Sequence, residues 1–176
     1  IHHQDISENQ LSSLYWLNVL VGLMLTLVLI VSSRGISVYL FSQPDLQPFL
    51  FFMSFSLFLT AIGQQLRVMA EKALHFSILA KIELSAALAG FTLSIGWAWY
   101  SPSVYALVAG VLVTDLTLSL LLWLFAADGW RPAFRLKLDE IKSFLNFGGY
   151  MVANNFVNSF ILQVDILIAG RLFSAS

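Results

Sequence analysis

Asp115 is the residue that most needs a chemical explanation. It follows directly on the stretch Leu84–Thr114, which has no Asp, Glu, Lys or Arg, and it falls near the middle of an apolar segment. An ionised carboxylate in the centre of a membrane helix costs about 2.5–3.5 kcal/mol on insertion scales. Asp115 must therefore face protein or water, with Ser119 four residues on along its face and Thr114 and Thr117 beside it. Either it lines a cavity and binds a cation or proton, or it is a hydrogen-bonded carboxyl that fastens helices together.

A second polar set lies further along. Asn154, Asn155, Asn158, Gln163 and Asp165 interrupt another apolar run. At about 100° per residue, Asn154, Asn158 and Asp165 share one helical face, while Gln163 points the other way. Such a stripe either lines an aqueous cavity or packs on a neighbouring helix through its amides. Amides and a carboxylate suit hydroxyl-rich sugars, because together they donate and accept. Asp165 is also, with Asp115, a candidate for coupling to an ion. Gln64, Gln65 and Arg67 close an earlier apolar run. They are a solvated helix end, or Arg67 offers its guanidinium fork to an anion such as a diphosphate. Arg171, after Gly170, has the position of a snorkelling interface anchor. His2, His3 and His75 have no metal-ligand spacing, no metal site is expected, and Gly-rich phosphate loops, GxSxG and HExxH are all missing from the sequence. Neither an enzyme nor a cofactor is expected.

The elements that position these residues follow from hydropathy. The chain is 59% hydrophobic and 11% charged, with mean hydropathy +0.82, against about 25% charged residues in ordinary soluble domains. Its charge-free runs have the length of a bilayer crossing, about 20 residues, which argues against a soluble helical bundle. The expected fold is all-α, a polytopic transmembrane helix bundle with spans at about residues 11–33, 46–66, 84–99, 104–125 and 146–168. Between the third and fourth spans the chain turns at Ser101-Pro102-Ser103, where Trp97, Trp99, Tyr100 and Tyr105 cluster; Trp123 and Trp130 mark the far end. Ser42-Gln43-Pro44-Asp45 has the spacing of a helix cap. Gly35–Phe41 either extends the first helix or lies along the interface. Arg67–Glu83 reads as a polar connection in which Arg67 and Glu71 could pair. Leu138–Phe147 fits an amphipathic helix on the bilayer surface.

Orientation comes from the basic residues. Arg67, Lys72, Lys81, Arg131, Arg135, Lys137 and Lys142 fall on one side, and Arg34 and Arg171 on the other. That bias places the first group in the cytoplasm and the Pro102 turn outside. A net charge of -1 implies no nucleic-acid partner. Zero cysteines exclude disulfides. The chain starts at Ile1 without a signal-peptide pattern and stops after an apolar run, so it reads as the middle piece of a larger membrane protein.

With these features in place, the sequence resembles the polysaccharide flippases of the multidrug/oligosaccharidyl-lipid/polysaccharide exporter superfamily, particularly the O-antigen and colanic-acid type. The resemblance rests on NQLSSLYWLN (Asn9–Asn18), RVMAEKALHFSILAKIE (Arg67–Glu83), YALVAG (Tyr105–Gly110), SFLNFGG (Ser143–Gly149) and QVDILIAGRL (Gln163–Leu172), in that order. It implies helices three to six of a first lobe over residues 1–142 and helix seven opening a second lobe over 143–176. It further implies a V of two six-helix lobes that works by alternating access, usually on an ion gradient. The implied activity is flipping of undecaprenyl-diphosphate-linked oligosaccharide across the bacterial inner membrane, with membrane lipids and H+ or Na+ as further partners. Asn154, Asn155, Asn158, Asp165, Gln64 and Arg67 are then substrate-path candidates, and Asp115 and Asp165 ion-coupling candidates. Two alternatives are a cation-coupled small-molecule antiporter of the same superfamily and a membrane-embedded glycan polymerase or ligase. A purely structural membrane subunit is a further possibility.

Overall fold

The computed structural model describes residues 8–40, 42–127 and 129–134. The chain divides into two compact units, Ile1–Leu136 and Lys137–Ser176, and every described element belongs to the first. The span expected at 146–168, the amphipathic segment at 138–147 and Asn154, Asn155, Asn158, Gln163, Asp165 and Arg171 lie outside the described residues.

Four long helices make up the described structure: α1 (Glu8–Gly35), α2 (Gln47–Lys72), α3 (Phe76–Tyr100) and α4 (Val104–Phe125). All four are long and apolar enough to cross a membrane. Their surface agrees, since Val31, Leu124 and Met24 are 80%, 73% and 68% exposed. Water would not tolerate so much contiguous apolar area on a stable monomer, whereas lipid tails do.

The helices begin and end for local reasons. α1 continues through a π-helical turn at Ile36–Leu40, so Gly35–Phe41 extends the helix for as far as it is described. The expected cap at Ser42–Asp45 does not form. Ser42 has a left-handed backbone (φ 53), and Gln43 precedes a short 3-10 turn, Pro44–Leu46, with no side-chain capping bond. Proline does the work instead: Pro44 starts the turn and Pro48 lies in the first turn of α2, where a missing N–H and a preset φ are advantages.

The larger difference concerns the third span and the polar connection before it. α2 runs on to Lys72 and α3 starts at Phe76, so Arg67, Glu71 and Lys72 end one helix while Lys81 and Glu83 begin the next. Charge marks where the hydrocarbon stops, not where a helix must. The true link is Ala73–His75. Its amides bond back to α2, from His75 to the Ala70 carbonyl (2.9 Å), from Leu74 to Glu71 (3.0 Å) and from Ala73 to Met69 (3.0 Å). This is a Schellman-type ending with Leu74, φ 58, in the left-handed place that glycine usually takes. Without Gly or Pro there, the sequence has no breaker to betray the turn.

Packing sets the order α1–α2–α4–α3 across the bundle, with α2 and α3 touching over a much smaller area. Small residues bring the backbones close, as in membrane helix pairs generally. A methyl on Gly22 would overlap Ala61, and one on Gly90 would overlap Thr114 and the Gly110 carbonyl. Thr26 donates to the Gly22 carbonyl (2.8 Å) and across to that of Ser54 (3.0 Å), and Ser94 donates to the Ala106 carbonyl of α4 (3.1 Å). Leu66, Ala70, Leu79, Ile82, Leu122, Ala126 and Ala127 form the core where α2, α3 and α4 converge.

That same end gathers Arg67, Lys72, Lys81 and Arg131, whereas the opposite end has Arg34. It also holds an aromatic girdle. Tyr15 meets Trp16, Trp123 and Trp130 edge-on at 5.5, 5.8 and 5.9 Å, and the Trp16 indole donates to the Ala133 carbonyl (2.9 Å). The basic side chains assign this end to the cytoplasm under the positive-inside rule, whereas rings of this kind mark either membrane boundary. At the other end Trp99 and Tyr100 are exposed, and Tyr105 packs on Phe49 (4.6 Å).

Candidate functional site at the polar face of α2

α2 is a wall with four sides, two of them taken by its neighbours. Ser54, Ala61 and Gln65 turn toward α1, where Asn18 donates to the Gln65 side chain (3.5 Å). Gly63, Leu66 and Ala70 turn toward α4, where a methyl placed on Gly63 would lie 3.1 Å from both the Ser119 hydroxyl and the Leu122 side chain. The two remaining faces differ in kind. Phe51, Phe55, Ile62 and Met69 share one, an apolar surface fit for lipid. Ser56, Thr60, Gln64, Arg67 and Glu71 fall within about 80° of each other on the other face, with Thr60 and Gln64 exposed. Polar side chains at membrane depth must look into protein or water.

Hollows border this polar face on both flanks. Toward α1, Asn18, Gly22, Leu25, Leu57, Thr60 and Gln64 line about 280 Å³. Toward α4, a hollow of about 20 Å³, room for roughly one water, is bounded by Thr60, Gly63, Gln64, Arg67, Leu118 and Ser119.

Asp115 stands at the inner limit of the stripe. Its carboxylate accepts a hydrogen bond from Ser56 of α2, so its partner is neither Ser119 nor Thr114. Ser119 donates instead to the Leu59 carbonyl (2.6 Å), and Thr114 to that of Gly110 in its own helix (2.9 Å). The carboxyl therefore spans the α2–α4 boundary and is half-buried. At the cytoplasmic limit Arg67 pairs with Glu71 (3.0 Å), as its spacing suggests, and also with Glu83 of α3 (2.6 Å). The guanidinium faces two carboxylates, so this trio sums to one negative charge. Both ion pairs are roughly 40% exposed and add little to stability.

Of the candidates read from the sequence, the structure thus brings Asp115, Gln64 and Arg67 onto one border of α2. Gln65 turns away to α1 and is buried. Sequence reasoning missed Ser56, Thr60 and Asn18. The signal was present in the spacing 56, 60, 64, 67 and 71, a helical period of polar residues inside an apolar run. Among the described residues no group of His, Cys, Asp or Glu could hold a metal ion.

Comparison with known proteins gives a consistent result. Residues 1–176 match the family described as "Polysaccharide biosynthesis protein". The chain is 30% identical over 175 residues to the teichuronic acid biosynthesis protein TuaB of Bacillus subtilis, covering 99% of this chain and 36% of that protein. It is 31% identical over 175 residues to the lipopolysaccharide biosynthesis protein WzxC of Escherichia coli, covering 99% and 35%. With the amylovoran biosynthesis protein AmsL of Erwinia amylovora it shares 28% over 177 residues, covering 99% and 45%. The chain therefore spans between about a third and a half of the length of these relatives. No solved structure matches it.

Proposed function

We propose, from the premise that this chain belongs to the polysaccharide biosynthesis protein family, that it forms part of a flippase of the bacterial inner membrane, one that carries undecaprenyl-diphosphate-linked oligosaccharide from the inner to the outer leaflet. The observation that supports this reading best is the two-faced α2: lipid-compatible rings on one side, and a ladder of hydroxyl, amide and charged groups running from mid-membrane to the cytoplasm on the other. A sugar chain crossing a bilayer needs such a ladder, because every hydroxyl it strips of water must find a donor or acceptor.

The relatives are named for teichuronic acid, lipopolysaccharide and amylovoran, three different glycans. A path of neutral amides and hydroxyls, tolerant of which sugar passes, suits that spread better than a pocket cut to one residue. Within the described helices Thr60 and Gln64 are the groups proposed to line it, and Asn154, Asn155, Asn158 and Asp165 are proposed as substrate-path groups on their sequence pattern alone. Arg67 meets the diphosphate at the inner mouth. To do so it releases Glu83, and the α2–α3 ion pair opens as substrate arrives. Ion coupling, to H+ or Na+, rests on Asp115 or Asp165 as population shifts between inward- and outward-open states.

The test is made in the complete protein by export of surface glycan. Replacing Thr60 by Val and Gln64 by Leu should cut export at unchanged protein level, and so should replacing Asn154, Asn158 and Asp165 together by Ala. Unchanged export in both variants removes these residues from the path. Proton-driven dye efflux without any effect on glycan would favour a small-molecule antiporter instead.

A further inference from the structure

Lys81 is one of four basic residues at the cytoplasmic end of the described helices, and the proposed sugar path does not use it. It lies in the second turn of α3 and is exposed, and among the described residues no carboxylate pairs with it. Beside it runs a groove of about 290 Å³ between α3 and α4, lined by Ile78, Lys81, Ile82, Ser85, Leu121 and Phe125. The groove is apolar apart from the lysine and serine that border it.

Depth identifies what such a groove can meet. Lys81 and Trp97 are 16 residues apart, about 24 Å along a helix rising 1.5 Å per residue. With Trp97 near the outer boundary of a core of about 30 Å, the Lys81 backbone falls about 6 Å short of the inner boundary, a gap its long side chain closes by snorkelling to the level of the headgroup phosphates. Deeper in the membrane the groove is hydrocarbon apart from the Ser85 hydroxyl.

We propose that this groove is a binding site for an anionic glycerophospholipid of the cytoplasmic leaflet, its phosphate on Lys81 and a segment of one acyl chain along Ile78, Ile82, Leu121 and Phe125. Charge complementarity supports the choice of an anionic lipid: a cation stands at phosphate height above an apolar trough, and among the described residues no carboxylate pairs with it or lines the trough. The hydroxyl of Ser85 leaves the trough wide where a larger side chain would fill it. The inference is independent of what the protein transports.

The test uses the full-length protein in nanodiscs whose phosphatidylglycerol has a photoreactive acyl chain, with adducts mapped by mass spectrometry. Adducts are expected on Ile78–Ser85 and Leu121–Phe125, several-fold more from phosphatidylglycerol than from phosphatidylethanolamine bearing the same chain. Lys81→Gln should lower them about fivefold, the equivalent of about 1 kcal/mol for one basic side chain at an anionic surface. Lys81→Arg should retain them. Ser85→Phe, which leaves the charge in place, should block the trough. Equal labelling by both lipids, or indifference to both Lys81→Gln and Ser85→Phe, overturns the proposal. So does displacement of the label by undecaprenyl phosphate at equal concentration, which assigns the groove to the polyprenyl lipid. Absence of adducts from these two segments also overturns it and assigns the groove to cover by protein.

Discussion

Gly90→Ala is the sharpest probe of how α3 and α4 are joined. The added methyl would overlap the Thr114 side chain and, less forgivingly, the Gly110 carbonyl oxygen. A side chain can rotate away, but a backbone carbonyl cannot. The reciprocal site gives the scale: a methyl on Gly110 would lie 2.9 Å from the Gly90 oxygen, where ordinary contact begins at about 3.4 Å, so the backbones must part by about 0.5 Å. Gly90→Ala demands more. Overpacking of this kind costs about 1–3 kcal/mol, against which alanine returns about 0.5–1 kcal/mol of helix propensity. Gly96 is the internal control, because nothing lies within 4 Å of a methyl placed there, and Gly96→Ala should be neutral or stabilising. Thermal unfolding of the purified full-length protein measures the gap. A 2 kcal/mol loss corresponds to about 4–8 °C for about 150–250 residues and less in a longer chain. The expected order of Tm is Gly96→Ala, then Gly110→Ala, then Gly90→Ala lowest, with Thr114→Ala restoring part of the Gly90→Ala loss. Equal Tm for Gly90→Ala and Gly96→Ala would refute the close approach of these helices.

Further expectations concern single groups. Asp115→Asn keeps a partner for Ser56 but cannot ionise, so under the proposed ion coupling glycan export by the full-length protein should fall while Tm stays level; export at the wild-type rate would leave Asp115 a helix fastener only. Ser56→Ala should cost about 1 kcal/mol as one hydrogen bond to the carboxylate is lost, read as a lower unfolding temperature. Leu74→Gly should raise stability, since a left-handed L-residue costs about 1–2 kcal/mol; an unchanged or lower Tm would count against the Schellman ending of α2. Because the chain has no cysteine, single cysteines at Ser103 and at Ala73, in a cysteine-free full-length protein, should react with a membrane-impermeant maleimide from opposite sides. Reaction of both from one side would undo the topology.

Much of the fold was legible because a bilayer imposes one length on everything that crosses it. The bounds 104–125 read from hydropathy coincide with α4. α3 begins eight residues before the expected span at 84, because Lys81 and Glu83 mark where the hydrocarbon stops although their backbones stay helical. The site was legible in part. Hydropathy shows that Asp115 must have company, but its partner Ser56 lies 59 residues away, on a helix adjacent only because the bundle takes the order α1–α2–α4–α3. The same ordering decides which side of α2 is open, and hence why Gln64 faces a hollow while its neighbour Gln65 is buried against α1.

The close approach of Gly90 to Gly110 also determines where this assembly can bend. Two main chains in contact cannot slide along each other without first lifting apart, so α3 and α4 travel as a single stiff lever. Because α4 is also tied to α2 through Ser56–Asp115 and through Ser119 on the Leu59 carbonyl, that stiffness reaches into α2 as well.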